Sequence, residues 1–395
     1  MRILHTADWH LGRTLEGRSR LAEQERFLDE LVLIANETKA DLILMAGDVY
    51  DSVNPPAAAE MLFYDAAARL SQHGRKLVAI AGNHDQPERI ASVTPLVTQS
   101  GIILTGLPTK EAVRVHIPRT DEEAVIACLP YPSEARLQEL LAGDEDEQGL
   151  RLAYSERVGQ MMRQLASSFT PHTVNLAMSH IYVLGGLESD SERPIQIGGA
   201  YTVDPSALDI GAQYTALGHL HRAQAVKSHS KGPIRYSGSP LAYSFSEAGQ
   251  AKSVMMLDVK PCGEVIQEEI FLSSGRPLVR WSCTNGLQEV QRWLEEGRDA
   301  QAFIDLEIRL TKAMSLGDIQ ALRKAHEGII HIRPVFPERE ASLSAVGRSQ
   351  MPIQDMFRKF YQRQTGGAEA EQEMVDLFMH LVAHDEIATT GEGES

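Results

Sequence analysis

Cysteine is nearly absent from this chain: Cys128, Cys262 and Cys283 are the only three in 395 residues. They are odd in number, scattered and mostly set in apolar strand-like runs. That pattern argues against a disulfide framework and reads as buried thiols in a reducing compartment. No apolar run approaches the roughly 20 residues needed to span a bilayer. The opening MRILHTAD lacks the charged, apolar leader of a signal peptide. The expectation is a cytoplasmic protein with no membrane anchor. A GxxxxGK[ST] loop is also missing, so this chain has no such route to ATP. Basic charge is short: 38 Lys and Arg stand against 54 Asp and Glu, a formal net charge of −16. Nucleic-acid binding by an overall basic surface is thereby excluded.

Metal-binding side chains are plentiful, and they come in order. Five short segments read ADWH at 7–10, GDVYD at 47–51, GNHD at 82–85, MSH at 178–180 and GHLH at 218–221. Most follow a short apolar run, such as Ile3-Leu4, Leu42–Met45, Leu77–Ile80 and Val174–Leu176. The pattern predicts buried strands whose carboxyl ends deliver Asp, Asn and His into one cleft. Gly47, Gly82 and Gly218 are expected to let the chain turn sharply there. Asp8 and His10 stand two apart, which on an extended segment points both to one side, and His219 and His221 repeat that spacing.

Two divalent cations about 3.5–4 Å apart can hold a phosphate, generate hydroxide near neutral pH and stabilise a leaving oxygen. Mixed imidazole and carboxylate donors suit manganese, iron or zinc better than magnesium or calcium. No cysteine lies in the five segments, which argues against a structural zinc site. One carboxylate must be shared between two such cations, and Asp48 in its GD turn is the natural choice.

These segments, with HTADWHLG at 5–12, ESDSERPIQIGG at 188–199 and YSGSPLAYSFSE at 236–247, resemble the SbcD-type nucleases. Those form a bacterial branch of the calcineurin-like metallophosphoesterases and work with an SbcC-type ATPase. The likeness covers the first two-thirds of the chain strongly and the rest by layout. It implies an α/β fold: a four-layer αββα sandwich with a small α+β capping domain and C-terminal helices. It further implies one metal held by Asp8, His10, Asp48 and His221, another by Asp48, Asn83, His180 and His219, and His84 as the catalytic acid. The implied cofactor is two divalent cations, Mn2+ foremost. The implied activity is 3′-to-5′ exonuclease on duplex ends and endonuclease on single strands and hairpins, in DNA recombination, replication and repair. A homodimer within a heterotetramer is the implied assembly. Archaeal and eukaryotic relatives often carry His where this chain has Asp51, so a transition-state role does not transfer, and Asp51 is left to orient a ligand.

The acidity is uneven. Asp121–Glu123 and Asp144–Glu147 read as exposed turns, whereas 211–246 holds no Asp or Glu while Arg222, Lys227, Lys231 and Arg235 gather there. Arg13, Arg18 and Arg20 follow the first metal segment. Together they read as a local DNA track on an acidic body, against the plainer reading of a solvated charged surface.

Along the chain, helices are expected over 20–38, from an Asn54 cap to about Gln72, over 133–142 and over 150–168. Strands are expected at 102–105, 112–117 and 123–129, and short β segments over 213–272 as in the second sheet of a sandwich. The expected domains are 1–273, 274–337 and 350–387, which the resemblance makes the nuclease, an α+β cap and helices that dock a partner; the plainer reading of 274–337 is a structural accessory module. Apolar stripes on Met356, Phe357, Phe360 and Tyr361, and on Met374, Val375, Leu377, Phe378, Leu381 and Val382, read by default as packing on the same chain; the resemblance implies instead that they dock an SbcC-type partner, and that reading is preferred. Residues 388–395 are expected to be disordered. His5 reads as an interior residue, His73, His116, His172, His229, His326 and His331 as structural or exposed, and the His380/His384 pair as surface. The rival to a nuclease is a phosphodiesterase of cyclic nucleotides or nucleotide sugars. A Ser/Thr phosphatase is disfavoured, because GDVYD and GNHD lack the Arg and Glu of GDxVDRG and GNHE.

Overall fold

The computed structural model describes residues 1–132, 147–193, 201–312, 314–336, 352–364, 370 and 372–389. The helix expected at 133–142, the acidic turn at 144–146, the second half of the 188–199 segment and the tail beyond 389 lie outside them. The chain divides into two compact units. Met1–Arg280 with Asp299–Asp305 forms one, and Trp281–Arg298 with Leu306–Ser395 the other.

Two six-stranded sheets make the first unit. One runs Ile266–Phe271, Ser253–Asp258, Arg2–Thr6, Leu42–Ala46, Lys76–Ile80, Ile102–Thr105 in spatial order. Its last four strands are parallel, so their carboxyl ends lie along one edge. The other runs Gln224–Ala225, Ile234–Tyr236, Tyr214–Gly218, Val174–His180, Glu122–Leu129, Val113–Ile117, with its four middle strands parallel.

Strand alternation sorts the side chains into layers. Leu42, Leu44, Val78 and Ile80 meet Ile126, Leu176, Met178 and Ala216 in the core between the sheets. Ile43, Met45, Leu77 and Ala79 face outward onto Phe27, Leu31, Phe63 and Ala66 of the helices Leu21–Glu37 and Ala57–Leu70. On the far side, Ala127, Ala177 and Leu217 pack on Tyr154, Val158 and Met162 of the helix Glu147–Ala166. The central strands of each sheet are covered on both faces, which explains their unbroken apolar runs in the sequence. The architecture is αββα.

Several expectations change. Residues 253–271 return to the first sheet instead of extending the second, pairing antiparallel with Arg2–Thr6 through His5↔Met255 and Arg2↔Asp258. Val254 and Met256 join the helix-side core and Leu257 the core between the sheets. Asn54 caps nothing: the helix begins at Ala57 after Pro56, with no side-chain cap bond. Glu122 and Glu123 belong to the strand Glu122–Leu129, not to a turn. Cys128 and Cys283 are buried, but Cys262 is exposed.

In the second part of the chain, Leu278–Cys283, Phe303–Arg309 and Ile329–Val335 form a three-stranded sheet with the helices Leu287–Glu295 and Leu316–Ala325. Ser315 and Asp318 cap the second helix reciprocally, each side chain accepting the other's backbone N–H. Phe357 of Ile353–Gln364 stacks on Phe378 of Gln372–Thr389 at 4.2 Å, leaving Met356, Phe360 and Leu377 more than half exposed. Among the described residues no helix is long and apolar enough to cross a membrane.

Candidate metal centre

All eight candidate side chains meet at the carboxyl ends of the parallel strands. Asp8 and His10 follow Arg2–Thr6, Asp48 follows Leu42–Ala46, and Asn83 and His84 follow Lys76–Ile80. His180 ends Val174–His180, while His219 and His221 follow Tyr214–Gly218. One sheet thus brings five residues and the other three.

The turns are tighter than an extended segment allows. Asp8, His10, Asp48 and His219 all sit at positive φ, 55°, 44°, 54° and 107°. Each such residue costs about 1–2 kcal/mol against ordinary backbone. The expected side-sharing of an extended Asp8–His10 pair therefore gives way to curled loops. What holds them is a backbone lattice: Asp8 N donates to Gly47 O at 3.0 Å, His10 N to Asp48 O at 3.0 Å and Leu11 N to Val49 O at 2.9 Å. The glycines matter differently than expected, for only Gly47 has positive φ. A Cβ at Gly82 would lie 2.1 Å from Asp48 Oδ1, and one at Gly218 would lie 1.9 Å from Ala46 O. Close approach, rather than a sharp turn, demands glycine at both.

Within this frame lone pairs converge. The His180 Nδ1–H donates to the Ala46 carbonyl at 2.9 Å, which turns Nε2 toward Asn83 Oδ1 at 2.9 Å and Asp48 Oδ2 at 3.3 Å. His10 Nε2 and His221 Nε2 face each other at 3.0 Å. Asp8 Oδ1 accepts the His219 N–H at 2.8 Å, while Asp8 Oδ2, His219 Nε2 and His10 Nδ1 are buried without a hydrogen-bond partner. Acceptors facing acceptors in a buried site require a positive charge between them. In the ion-free chain a proton takes part of that place. Burial alone would lower the basicity of His180, but the Asp48 carboxylate overrides it and pushes the ring up to about 9. Burial lifts Asp8 to about 7 against the pull of His180 and His221. Asp48 is held well below the ordinary range, since His180 and His84 outweigh its burial. Burial lowers both His10 and His219.

The ligand atoms form three close sets: Asp8, His10 and His221; Asp8, Asp48 and His180; and His10, Asp48 and His84. Asp8, His10 and Asp48 each join two of them, and His84 joins one. The donor set of buried imidazole and carboxylate, with Asp8 Oδ2 and His219 Nε2 left unpartnered, fits divalent transition metals.

Supporting residues carry weaker marks in the sequence. Asp85 accepts N–H bonds from Gly82 at 2.8 Å, Val49 at 3.1 Å and Tyr50 at 2.9 Å, so one carboxylate pins two ligand loops together. Its only sequence signal is its place in GNHD. The His84 Nδ1–H donates to the Asp51 carbonyl at 2.7 Å, which leaves Nε2 for other work. Asp51 Oδ1 stands 3.5 Å from His10 Nδ1 and 3.4 Å from Arg13. The Tyr243 hydroxyl donates to the Trp9 carbonyl, and its ring edges onto His10 and His221 at 5.4 and 5.7 Å.

The arginine track shrinks. Arg20 is buried, bonded to Glu23 at 2.5 Å and to the Ala242 carbonyl at 2.9 Å, and cannot meet DNA. Arg235 is half-buried beside Glu269, while Arg18, Arg222, Lys227 and Lys231 stay exposed. His5 is an interior residue, between the Tyr214 hydroxyl at 2.9 Å and the Leu217 carbonyl at 3.2 Å.

An αββα sandwich with Asp, Asn and His clustered at its strand ends is the architecture of a calcineurin-like phosphoesterase, and residues 1–223 match the model of that family. Residues 274–365 match a second one, the type 5 capsule protein repressor C-terminal domain. The chain is 53% identical to the SbcD subunit of the nuclease SbcCD of Bacillus subtilis, over 97% of its own length and 98% of that protein's. It is 35% identical to the same-named protein of Rhodobacter capsulatus, over 71% of each. The chain belongs to the SbcD family of calcineurin-like phosphoesterases. It is a metal-dependent enzyme that hydrolyses phosphodiesters.

Proposed function

We propose that this chain is the nuclease subunit of an SbcCD-type complex and cuts DNA, 3′-to-5′ from duplex ends and endonucleolytically in single strands and hairpins. The observation that carries the reading is the convergence of eight buried or half-buried Asp, Asn and His side chains from two sheets on one centre. We assign Asp8, His10, Asp48 and His221 to one divalent cation and Asp48, Asn83, His180 and His219 to a second, with Mn2+ as the preferred ion. Bound there, two such ions would supply the nucleophile and neutralise charge on the phosphoryl oxygens.

The chain's own residues do the rest. Asp48 is the shared carboxylate, and its low proton affinity keeps it available to cations. Asp85 holds the two loops that carry Asp48 and Asn83 in register. His84, its Nδ1–H fixed on the Asp51 carbonyl, presents Nε2 to the departing oxygen as the proton donor. Exposed Arg18, Arg222, Lys227 and Lys231 contact the DNA backbone, and a partner supplies further nonspecific affinity. We read 1–273 as the nuclease domain, 274–337 as a cap that aligns DNA and 350–387 as the segment that grips an SbcC-type ATPase, in a heterotetramer built on a nuclease homodimer.

Purified protein with manganese should degrade DNA and leave cyclic nucleotides intact. Turnover of cyclic nucleotides without DNA cleavage would replace the nuclease with a small-molecule phosphodiesterase. Deleting residues from Gly366 onward should spare cleavage of short single strands but abolish co-purification with the ATPase. An intact complex would overturn the docking assignment, and an unfolded chain would place those helices in the core.

A further inference from the structure

Two segments that carry the family likeness, 188–199 and 236–247, lack any metal ligand, yet they meet at one. Ser191 Oγ lies 2.6 Å from His221 Nδ1 and 2.6 Å from Glu247 Oε1. All three side chains are buried, Glu247 and His221 almost completely and Ser191 to 5% exposure.

The proton inventory fixes the direction of both bonds. Glu247 is ion-paired with the Lys252 ammonium, so its carboxylate only accepts. It takes the Tyr243 N–H at 3.0 Å, the Ser244 N–H at 3.2 Å and the Lys252 ammonium, which clamp it in place. The single hydroxyl proton of Ser191 goes to the charged Glu247 carboxylate at 2.6 Å, the stronger acceptor, rather than to the neutral Ser189 hydroxyl at 2.8 Å. A lone pair of Ser191 Oγ is left for His221, so Nδ1 of that ring must carry hydrogen. The neutral ring then has its free lone pair on Nε2, the atom that faces His10.

We propose that Ser191 and Glu247 form a hydroxyl-bridged relay that sets the tautomer and orientation of His221 as a metal ligand. The idea rests on the assignment of His221 to the first cation. Both are positioning residues, since neither reaches the centre itself. Fixing the far nitrogen of a ligating imidazole is a general means of raising its affinity. Here the fixing group is a serine on a separate loop, and other bonds hold that loop to the centre. Arg13 donates to the Ser191 carbonyl at 2.8 Å, and the His221 N–H donates to Glu192 at 2.8 Å. Displacing 188–193 would withdraw the relay and both of these bonds together, so loop position and metal retention are linked.

The test uses the full chain with 15N-labelled histidine and three variants. In the ion-free wild type, His221 should show the Nδ1–H tautomer. Ser191→Ala should give a mixed or reversed tautomer and bind one of two Mn2+ equivalents about 10–100-fold more weakly, by competition with a fluorescent chelator. Ser191→Thr, which restores the hydroxyl, should recover both signals even if the alanine variant is too unstable to measure. His221→Ala separates the two levels of the argument. If it keeps both equivalents, the assignment of His221 as a ligand fails. If it loses one while Ser191→Ala keeps the wild-type tautomer and an affinity within twofold, the relay alone is overturned.

Discussion

Gly82 lies so close to Asp48 that a Cβ at position 82 would stand 2.1 Å from the Asp48 carboxylate oxygen. Neither partner can yield easily, because Gly82 N is bonded to Asp85 and Asp48 Oδ1 accepts the His84 N–H. Gly82→Ala should therefore cost at least the ~1–3 kcal/mol of an overpacked core and reduce bound manganese. Gly17→Ala is the control, for its φ of 76° would strain an alanine but nothing lies within 4 Å. It should cost about 1 kcal/mol of backbone strain with full metal content. Thermal unfolding and elemental analysis of both variants check this, and wild-type metal content in Gly82→Ala would refute it.

Asp48 and His10 predict a difference in stoichiometry. Asp48→Ala removes the shared carboxylate and should empty both positions, whereas His10→Ala should chiefly weaken one. Asp8, a carboxylate that like Asp48 and His10 joins two of the close sets, makes Asp8→Ala the informative third variant. Elemental analysis after dialysis against limiting manganese reads all three. Two full equivalents in Asp48→Ala would defeat its bridging role.

His84 should separate substrates by leaving group. A DNA oxygen leaves poorly and needs a proton, while p-nitrophenolate does not. His84→Ala should keep both metals and lose about 10²–10⁴-fold on DNA, the range for a general acid, with a much smaller loss on bis-p-nitrophenyl phosphate. Its ring also lies in a set with His10 and Asp48. Loss of a metal in this variant would therefore make it a ligand, and equal losses on both substrates would make it a phosphate stabiliser.

The opposite end of the sandwich predicts an acid response. Burial works against the charge on Asp41, but Arg119, bonded to both its oxygens at 2.6 Å, and the Arg2 N–H hold its carboxyl below the ordinary value. A carboxyl more acidic in the folded chain than in the unfolded one contributes stability above the unfolded value, near pH 4. That contribution disappears as pH falls through the folded value. Arg119 is half exposed, so solvent screening trims the effect. Asp41→Asn should lower stability at neutral pH and flatten the loss on acidification. Urea unfolding from pH 3 to 7 measures it, and parallel curves for variant and wild type would exclude the pair.

The clustering of the candidate ligands is legible in the sequence because two local rules agree. A parallel strand buried on both faces reads as an apolar run, and its carboxyl end is where a polar side chain can emerge. What stays hidden depends on contacts remote in sequence. Glu247 sits in a Ser244-x-x-Glu247 capping box, a purely local signature that hides its contact with Ser191 across 56 positions. Arg20 reads as available for DNA because the sequence does not reveal Glu23 and Ala242 closing on it. The return of 253–258 to the first sheet is equally obscure, for an apolar run suits either layer. Gly82 and Gly218 stand out in the sequence as turn residues, whereas atoms from neighbouring strands are what exclude a side chain there.

The candidate ligands come from both sheets, and so does the Asp41–Arg119 pair at the other end. Cations bound at the centre would act as a rivet through the two layers, so metal content would govern mechanical cohesion as well as catalysis. Chelation should then leave the fold hinged at one end. Amide hydrogens near Asp8, Asp48, His180 and His219 would exchange faster with solvent, while those near Asp41 and Lys76 stay closed.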